Sequence, residues 1–394
     1  MKKDKDFATL AIHAGENEGK AKNALNNPIY MTSTFCFDDL EHAEKTFSFE
    51  KDDYVYTRGN NPSLRVLEKK MAVLEEGVDS VAFSSGMAAI SSVLLSVAGP
   101  GDKVLAHKIL YGSTHNFIKN IMPENNVETE LIDFTDLEEV EAKMNEQISA
   151  IYFETPANPN LDIIDIKKIS EIAKNYGAKI VVDNTFATPY FQKPLKLGAD
   201  VVVHSATKYI SGHGDTVAGI AIANDKDYIH KLKFDYMAEY GGVLSPFNAW
   251  LLLRGLKTLS LRMKEHENNA QKIADFLNEN SKVNKVYYPG IKGNNNFAIA
   301  KKQMEGFGAI ISFELKGNIN RTKKFVNSLE LFKLAVSLGD TESLIEYPFA
   351  MTHRGYSEEE LKKIGLSKKL LRISVGLENK DDIIDDLKQA FNNI

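Results

Sequence analysis

Between residues 60 and 225 the chain repeats one pattern: a short apolar run rich in β-branched residues, then a stretch with apolar positions at helical spacing, then another run. Ser80–Phe83, Lys103–Ala106, Ala150–Glu154, Lys179–Asp183, Val201–His204 and Gly219–Ala223 predict strands buried within a sheet. Leu64–Glu75, Ala88–Val97 and Lys167–Tyr176 predict helices between them. Such alternation implies an α/β fold, with a mostly parallel sheet covered by helices on both faces. Ligands of such sheets bind beyond the carboxyl ends of the strands. Ser84, Glu154, Asp183 and Ser205 all fall at or just past predicted strand ends.

The flanks read differently. Residues 1 to about 55 have no sustained period and contain Asn26-Asn27-Pro28, which predicts an extended arm. Ser245 to about Asn280 predicts one long helix, with Trp250, Leu253, Leu256 and Leu259–Leu261 at helical spacing. Runs at Val286–Tyr288, Ala309–Leu315, Leu331–Ser337 and Leu370–Val375, with helical patterns near 321–328 and 381–391, predict a smaller C-terminal α/β domain. A length of 394 residues exceeds one ordinary core. The expected division is an arm over 1–59, a large domain over 60–248 and a C-terminal domain over 249–394.

Composition narrows the class of function. Hydrophobic residues at 43% and charged residues at 26% suit a folded, soluble chain. A formal net charge of −6 without a basic block argues against a nucleic-acid surface. No run approaches the roughly 18 apolar residues of a membrane span. The N-terminal Met-Lys-Lys-Asp-Lys-Asp has no apolar core behind it, so it does not read as a secretory signal. Cys36 is the single cysteine, which rules out an intrachain disulfide and fits a cytoplasmic location.

The chemistry concentrates in Val201–Asp215, VVVHSATKYISGHGD. Ser205 and Thr207 can hydrogen-bond a phosphate, and the Lys208 amine can attack a carbonyl. Asp183 closes another apolar run. A lysine that forms a Schiff base and an acid that keeps a pyridine nitrogen protonated suit pyridoxal phosphate. Taken alone, the same residues also fit a solvated loop lysine and a helix-capping acid. Ser84-Ser-Gly-Met-Ala88 lies between a strand and a helix, where Gly86 lets the backbone approach an anion and the helix start offers free N–H groups; a plain turn would use glycine there too. Arg372 begins an apolar run in which a buried guanidinium requires an anion. His204, His213 and His353 have no compact metal-ligand spacing, so no metal is expected.

The segment Ser205–Asp215 resembles the signature of the Cys/Met-metabolism enzymes that use pyridoxal phosphate. The resemblance extends in order through Tyr56-Thr-Arg58, Ser84–Met87, Leu110–Gly112, Glu154–Pro159, Val182–Phe186, Ser337–Gly339, Met351–His353 and Arg372–Gly376, nearly the whole chain. It implies a fold-type-I pyridoxal-phosphate-dependent transferase fold and a homotetramer built as a dimer of dimers. It also implies that Lys208 carries the cofactor and moves protons, and that Asp183 pairs with the ring nitrogen. Tyr111 stacks on the ring and can protonate the leaving sulfur. Gly86, Met87, Ser205 and Thr207 contact the phosphate end, and Asn158 sits by the phenolic oxygen. Tyr56 and Arg58 reach the phosphate of a neighbouring subunit. Arg372 and Ser337 hold the substrate, with Ser113 nearby.

Members of this family divide on the fate of the substrate side chain. Ser113 stands where methionine-preferring members commonly have Cys, and Met237-Ala238 where they tend to have a Lys-Asp pair. Val336 stands where cystathionine γ-lyases often have Glu. Ser245–Trp250 is more similar to the homoserine-ester sulfhydrylases, whereas Ser337–Asp340 and Met351–His353 are more similar to the lyases. The expectation is γ-elimination on methionine, homocysteine or cystathionine. The alternatives are γ-replacement on an activated homoserine, or a non-catalytic cofactor-binding regulator.

Overall fold

The computed structural model describes residues 5–16, 23–293, 295–352, 359, 361 and 365–394. Its larger sheet has seven strands: β1 Asp79–Phe83, β2 Lys103–His107, β3 Glu128–Ile132, β4 Ile148–Glu154, β5 Lys179–Asp183, β6 Val201–Ser205 and β7 Gly219–Ala223. They lie in the order β1-β7-β6-β5-β4-β2-β3. The pairs from β6 through β5, β4 and β2 to β3 are all parallel, and β7 runs antiparallel to β1 and β6. The mostly parallel α/β sheet expected from the pattern is thus present.

The apolar runs serve two cores at once. Val104, Ala106, Ala150, Tyr152, Val181, Val201 and Val203 face one buried cluster. Leu105, Ile151, Phe153, Ile180, Val182 and Val202 face the other. Side chains alternate across a strand, so a strand covered on both faces needs apolar residues at successive positions.

β3 was missed by the pattern, and its position explains why. It is an edge strand in which only Ile132 is buried, and Glu128 and Glu130 pair with Lys103 on β2. A charged edge blunts further strand pairing.

The smaller sheet contains β8 Val283–Tyr287, β9 Ile310–Leu315, β10 Lys333–Leu334, β11 Leu344–Glu346 and β12 Leu370–Ser374, ordered β10-β11-β12-β9-β8. The run at Leu331–Ser337 forms a strand only over its two exposed residues Lys333 and Leu334. β11 has three residues, too few to show a period.

Two expectations require correction. Residues 246–279 form two helices, Pro246–Leu256 and Leu259–Glu279, rather than one. Arg262 explains the interruption. Its Nη2 donates to Gly255 O at 2.9 Å, a carbonyl that a continuous helix would give to residue 259, and its Nη1 donates to Tyr209 O at 2.7 Å. The N-terminal arm is not simply extended either. Asp6 caps a helix over Phe7–His13 and Asp39 caps another over Leu40–Phe47. Leu10 and Ala11 join the large core, and buried Lys70 donates to the carbonyls of Ala11 and Ile12 at 2.9 and 2.7 Å. Both helices are too short to reveal a period. No helix among the described residues is long and apolar enough to cross a membrane.

Ile180→Ala, at a fully buried position, is expected to lower unfolding free energy by about 2–5 kcal/mol. Glu128→Gln at the exposed edge pair should cost less than about 1 kcal/mol. Urea denaturation of both variants against the parent measures the difference.

Candidate active site

β4 and β5 end side by side in Glu154 and Asp183, β6 runs on past the partner of Asp183 to Ser205, and a pocket of about 240 Å³ opens at these ends. Glu154 and Asp183 are register partners on adjacent parallel strands, so their carboxylates share the pocket floor. Burial raises the proton affinity of both, and Asp183 pushes Glu154 further up. Glu154 Oε1 accepts from Tyr111 N at 2.8 Å. Asp183 Oδ1 accepts from Thr185 N at 2.9 Å, which pulls Asp183 back toward ionisation. Tyr152 on β4 places its hydroxyl 3.4 Å from Asp183 Oδ2.

The turn after β6 carries Thr207 and Lys208 into the same pocket. Lys208 Nζ lies 3.5 Å from Ser337 Oγ. Burial lowers its proton affinity, Arg372 lowers it further, and Asp340 and Glu346 oppose the shift. The Thr207 hydroxyl bridges to Ala218, donating to its carbonyl at 3.2 Å and accepting from its amide at 3.0 Å, which fixes the turn.

On the facing wall, the helix Gly86–Val97 begins at the pocket. Ser85 caps it, accepting from Ala88 N at 3.0 Å. A Cβ on Gly86 would lie 2.8 Å from the Ser205 Cβ, so only glycine lets the helix start approach the end of β6 this closely. The N–H groups of Gly86 and Met87, ahead of the one that the cap takes, suit an anion. Met87 lines the same end, and its sulfur meets the Thr114 hydroxyl.

Tyr111 lines the opposite side with its ring about one-third exposed. The next residue, Gly112, sits where a Cβ would strike the Thr352 carbonyl. The smaller sheet closes the pocket. Arg372 on β12 is 3% exposed, donating from Nη1 to Asn158 Oδ1 at 2.9 Å and from Nη2 to Ser337 O at 2.9 Å. Val336 adds an apolar surface beside them.

Ten of the expected site residues therefore line one pocket: Gly86, Met87, Tyr111, Asn158, Asp183, Ser205, Thr207, Lys208, Ser337 and Arg372. Three do not. Ser113 is exposed in the short helix Gly112–Asn116 that follows Tyr111. Tyr56 and Arg58 lie outside the lining, with Arg58 Nη1 donating to Ala238 O at 3.0 Å and pairing with Glu239 at 3.1 Å. In the segment Ser84–Ala88, Ser85 lines the pocket rather than Ser84. His204 forms a buried pair with Glu75 at 2.6 Å, and His213 meets the Ser211 carbonyl; His353 lies outside the described residues.

The sequence reading assigned no role to Glu154, Tyr152, Thr185 or Glu346. Glu154 was visible as an acid at a strand end. Glu346 could have been suspected as a lone acid beside Leu344 and Ile345, the anion that buried Arg372 requires.

The model of the Cys/Met metabolism PLP-dependent enzyme family matches residues 8–392. The chain belongs to that family. It is 49% identical to an L-methionine gamma-lyase of Fusobacterium nucleatum subsp. nucleatum, with all of both chains covered. It is 45% identical to a cystathionine beta-lyase of Lactococcus lactis subsp. cremoris over 97% of this chain and 98% of that one. Among solved structures, cystathionine gamma-lyase from Lactobacillus plantarum complexed with L-serine superposes with a TM-score of 0.93 at 40% identity, covering 99% of each chain.

The residues present fit pyridoxal phosphate, the family's cofactor. Two adjacent buried carboxylates at one end of the pocket suit a cationic ring nitrogen. A capped helix start held against Ser205 suits a phosphate. A buried lysine with lowered proton affinity suits condensation with an aldehyde.

Lowered proton affinity has a direct consequence in the cofactor-free protein. The Lys208 amine becomes neutral, and so nucleophilic, at lower pH than an ordinary lysine. Its acylation rate, followed by peptide mass spectrometry, should rise at lower pH than that of a lysine in an unstructured peptide. Arg372→Leu should shift that rise upward, because a neighbouring positive charge is removed. Coincident profiles for the two lysines would contradict this environment.

Proposed function

We propose that the protein is a pyridoxal-phosphate-dependent carbon–sulfur lyase that performs γ-elimination on methionine, homocysteine or cystathionine, yielding a 2-oxo acid, ammonia and a thiol. The observation that carries this reading is the meeting of Lys208, Tyr111 and Arg372 in one pocket with an apolar wall at Val336. Full-length similarity to L-methionine gamma-lyases supports the choice of substrate.

When bound, the cofactor supplies an electron-accepting ring that acidifies the substrate Cα and Cβ protons. Asp183 would hold the ring nitrogen, Tyr111 the ring face and Asn158 the phenolic oxygen. The helix start at Gly86 and Met87, with Ser205 and Thr207, would hold the phosphate. Arg372 places the substrate by its carboxylate. Lys208 removes the Cα proton and then serves proton transfer near Cβ. Tyr111 delivers a proton to the departing sulfur. Val336 gives a small thioether an apolar surface and offers no charge to a second amino acid. Ser113, in place of the cysteine of methionine-preferring relatives, would relax the preference toward homocysteine and cystathionine from outside this chain's own pocket lining.

We further infer a cytoplasmic homotetramer, with residues 1–59 as the arm, 60–248 as the cofactor-binding domain and 249–394 as the C-terminal domain. Tyr56 and Arg58 would complete the phosphate site of a neighbouring subunit, in keeping with their position outside this chain's own pocket lining.

Two experiments test this. Incubation with each of the three amino acids and no added thiol should give 2-oxobutyrate from at least one. If all three are inert while acetyl- or succinyl-homoserine plus sulfide gives homocysteine, the protein is a sulfhydrylase. Arg58→Ala and Lys208→Ala are each expected to be inactive, and their mixture should recover activity once subunits exchange. Exchange without recovery would place each site within a single chain.

A further inference from the structure

Glu346 on β11 and Arg372 on β12 are direct partners across an antiparallel pair. Both side chains are buried, at 1% and 3% exposure, and both line the pocket. Glu346 Oε1 lies 3.2 Å from Arg372 Nη1 and accepts a 2.9 Å hydrogen bond from the Thr352 hydroxyl. The guanidinium carries five donors in a rigid fork. Nη1 serves both Asn158 and Glu346, and Nη2 serves the Ser337 carbonyl. Among the described residues, Nε is buried without a partner, as is Glu346 Oε2. The guanidinium therefore already holds one carboxylate through Nη1, and Nε is a donor left over for a second.

Resting on the reading of Arg372 as the clamp for the substrate carboxylate, we propose that Glu346 sets substrate affinity as a resident carboxylate sharing Arg372 with the α-carboxylate of the substrate. Two carboxylates on one guanidinium repel each other, and the repulsion is strengthened where water is excluded. The substrate α-carboxylate stays on Arg372 throughout the reaction, so the repulsion acts equally on bound substrate and transition state. It belongs in KM rather than kcat. The 2-oxo acid product carries the same carboxylate and is loosened in the same way. A glutamine at this position would offer the same oxygen to Nη1 and to the Thr352 hydroxyl without the charge.

The test uses the cofactor-loaded enzyme with Glu346→Gln, Glu346→Asp and Arg372→Lys. Glu346→Gln should lower KM for the sulfur amino acid by roughly tenfold, with kcat within about twofold of the parent. Calorimetric binding of L-norleucine, which has the same α-groups and no sulfur leaving group, should tighten by the same factor. Glu346→Asp keeps the charge and should stay near the parent. A Glu346→Gln protein that fails to fold, shows a raised KM, or binds L-norleucine no better than the parent makes Glu346 a structural counter-ion and overturns the proposal. Equal tightening by Glu346→Asp overturns it as well, because charge would not be the cause. Arg372→Lys should weaken L-norleucine binding; if it does not, the carboxylate docks elsewhere, and the reading of Arg372 falls together with the role of Glu346.

Discussion

Two parallel strands stop at one level and a third runs two residues past them, and the site is built on that constraint. β4, β5 and β6 end in Glu154, Asp183 and Ser205 because their registers are locked by ladders between apolar runs packed on both faces. A one-residue slip in any of them would turn its terminal polar side chain to the other face and drive its apolar set into the wrong core. The precision of the pocket floor is therefore inherited from the hydrophobic cores. No contact within the pocket would need to supply it.

Charge is the second organising quantity. The pocket gathers carboxylates from Glu154, Asp183 and Glu346 with the cations of Lys208 and Arg372, in a space largely withdrawn from water. Burial disfavours the charges of Glu154, Asp183 and Lys208, and each of these groups responds to its charged or hydrogen-bonding neighbours. Lys208 is driven toward the neutral amine by burial and by Arg372. Glu154 is driven toward the neutral acid by burial and by Asp183. Asp183, fastened by Thr185, is the better placed of the two acids to carry the negative charge. A cationic ring nitrogen would suit the charge left at that end, and a phosphate would suit the helix start at Gly86 at the other.

The smaller sheet contributes Arg372 and Glu346, while the loop before β11 contributes Val336 and Ser337. Half of the chemistry thus depends on how the two sheets are held together. Arg262 is part of that hold. It ties the carbonyl of Tyr209, adjacent to Lys208, to the break between helices Pro246–Leu256 and Leu259–Glu279. The interruption that the apolar period did not reveal therefore lies against the turn that presents the lysine.

The amino-acid order by itself determined the α/β class, the central strands and ten of the residues that line the pocket. The double-sided apolar runs of β4 to β7 can satisfy their burial in few other ways, and polar residues at the ends of such runs collect on one edge of the sheet. Lys208, Asp183, Ser205 and Gly86 were legible for that reason. Only the tertiary structure decided the rest. β3 is stabilised by pairing and surface charge rather than by burial, so no period marks it. The helix break depends on a guanidinium that competes for a backbone carbonyl. Glu346 becomes the partner of Arg372 through antiparallel pairing of segments 26 positions apart, a distance over which no local pattern operates. Local periodicity reports which face of an element is buried, but the identity of the group across from it is set by the fold.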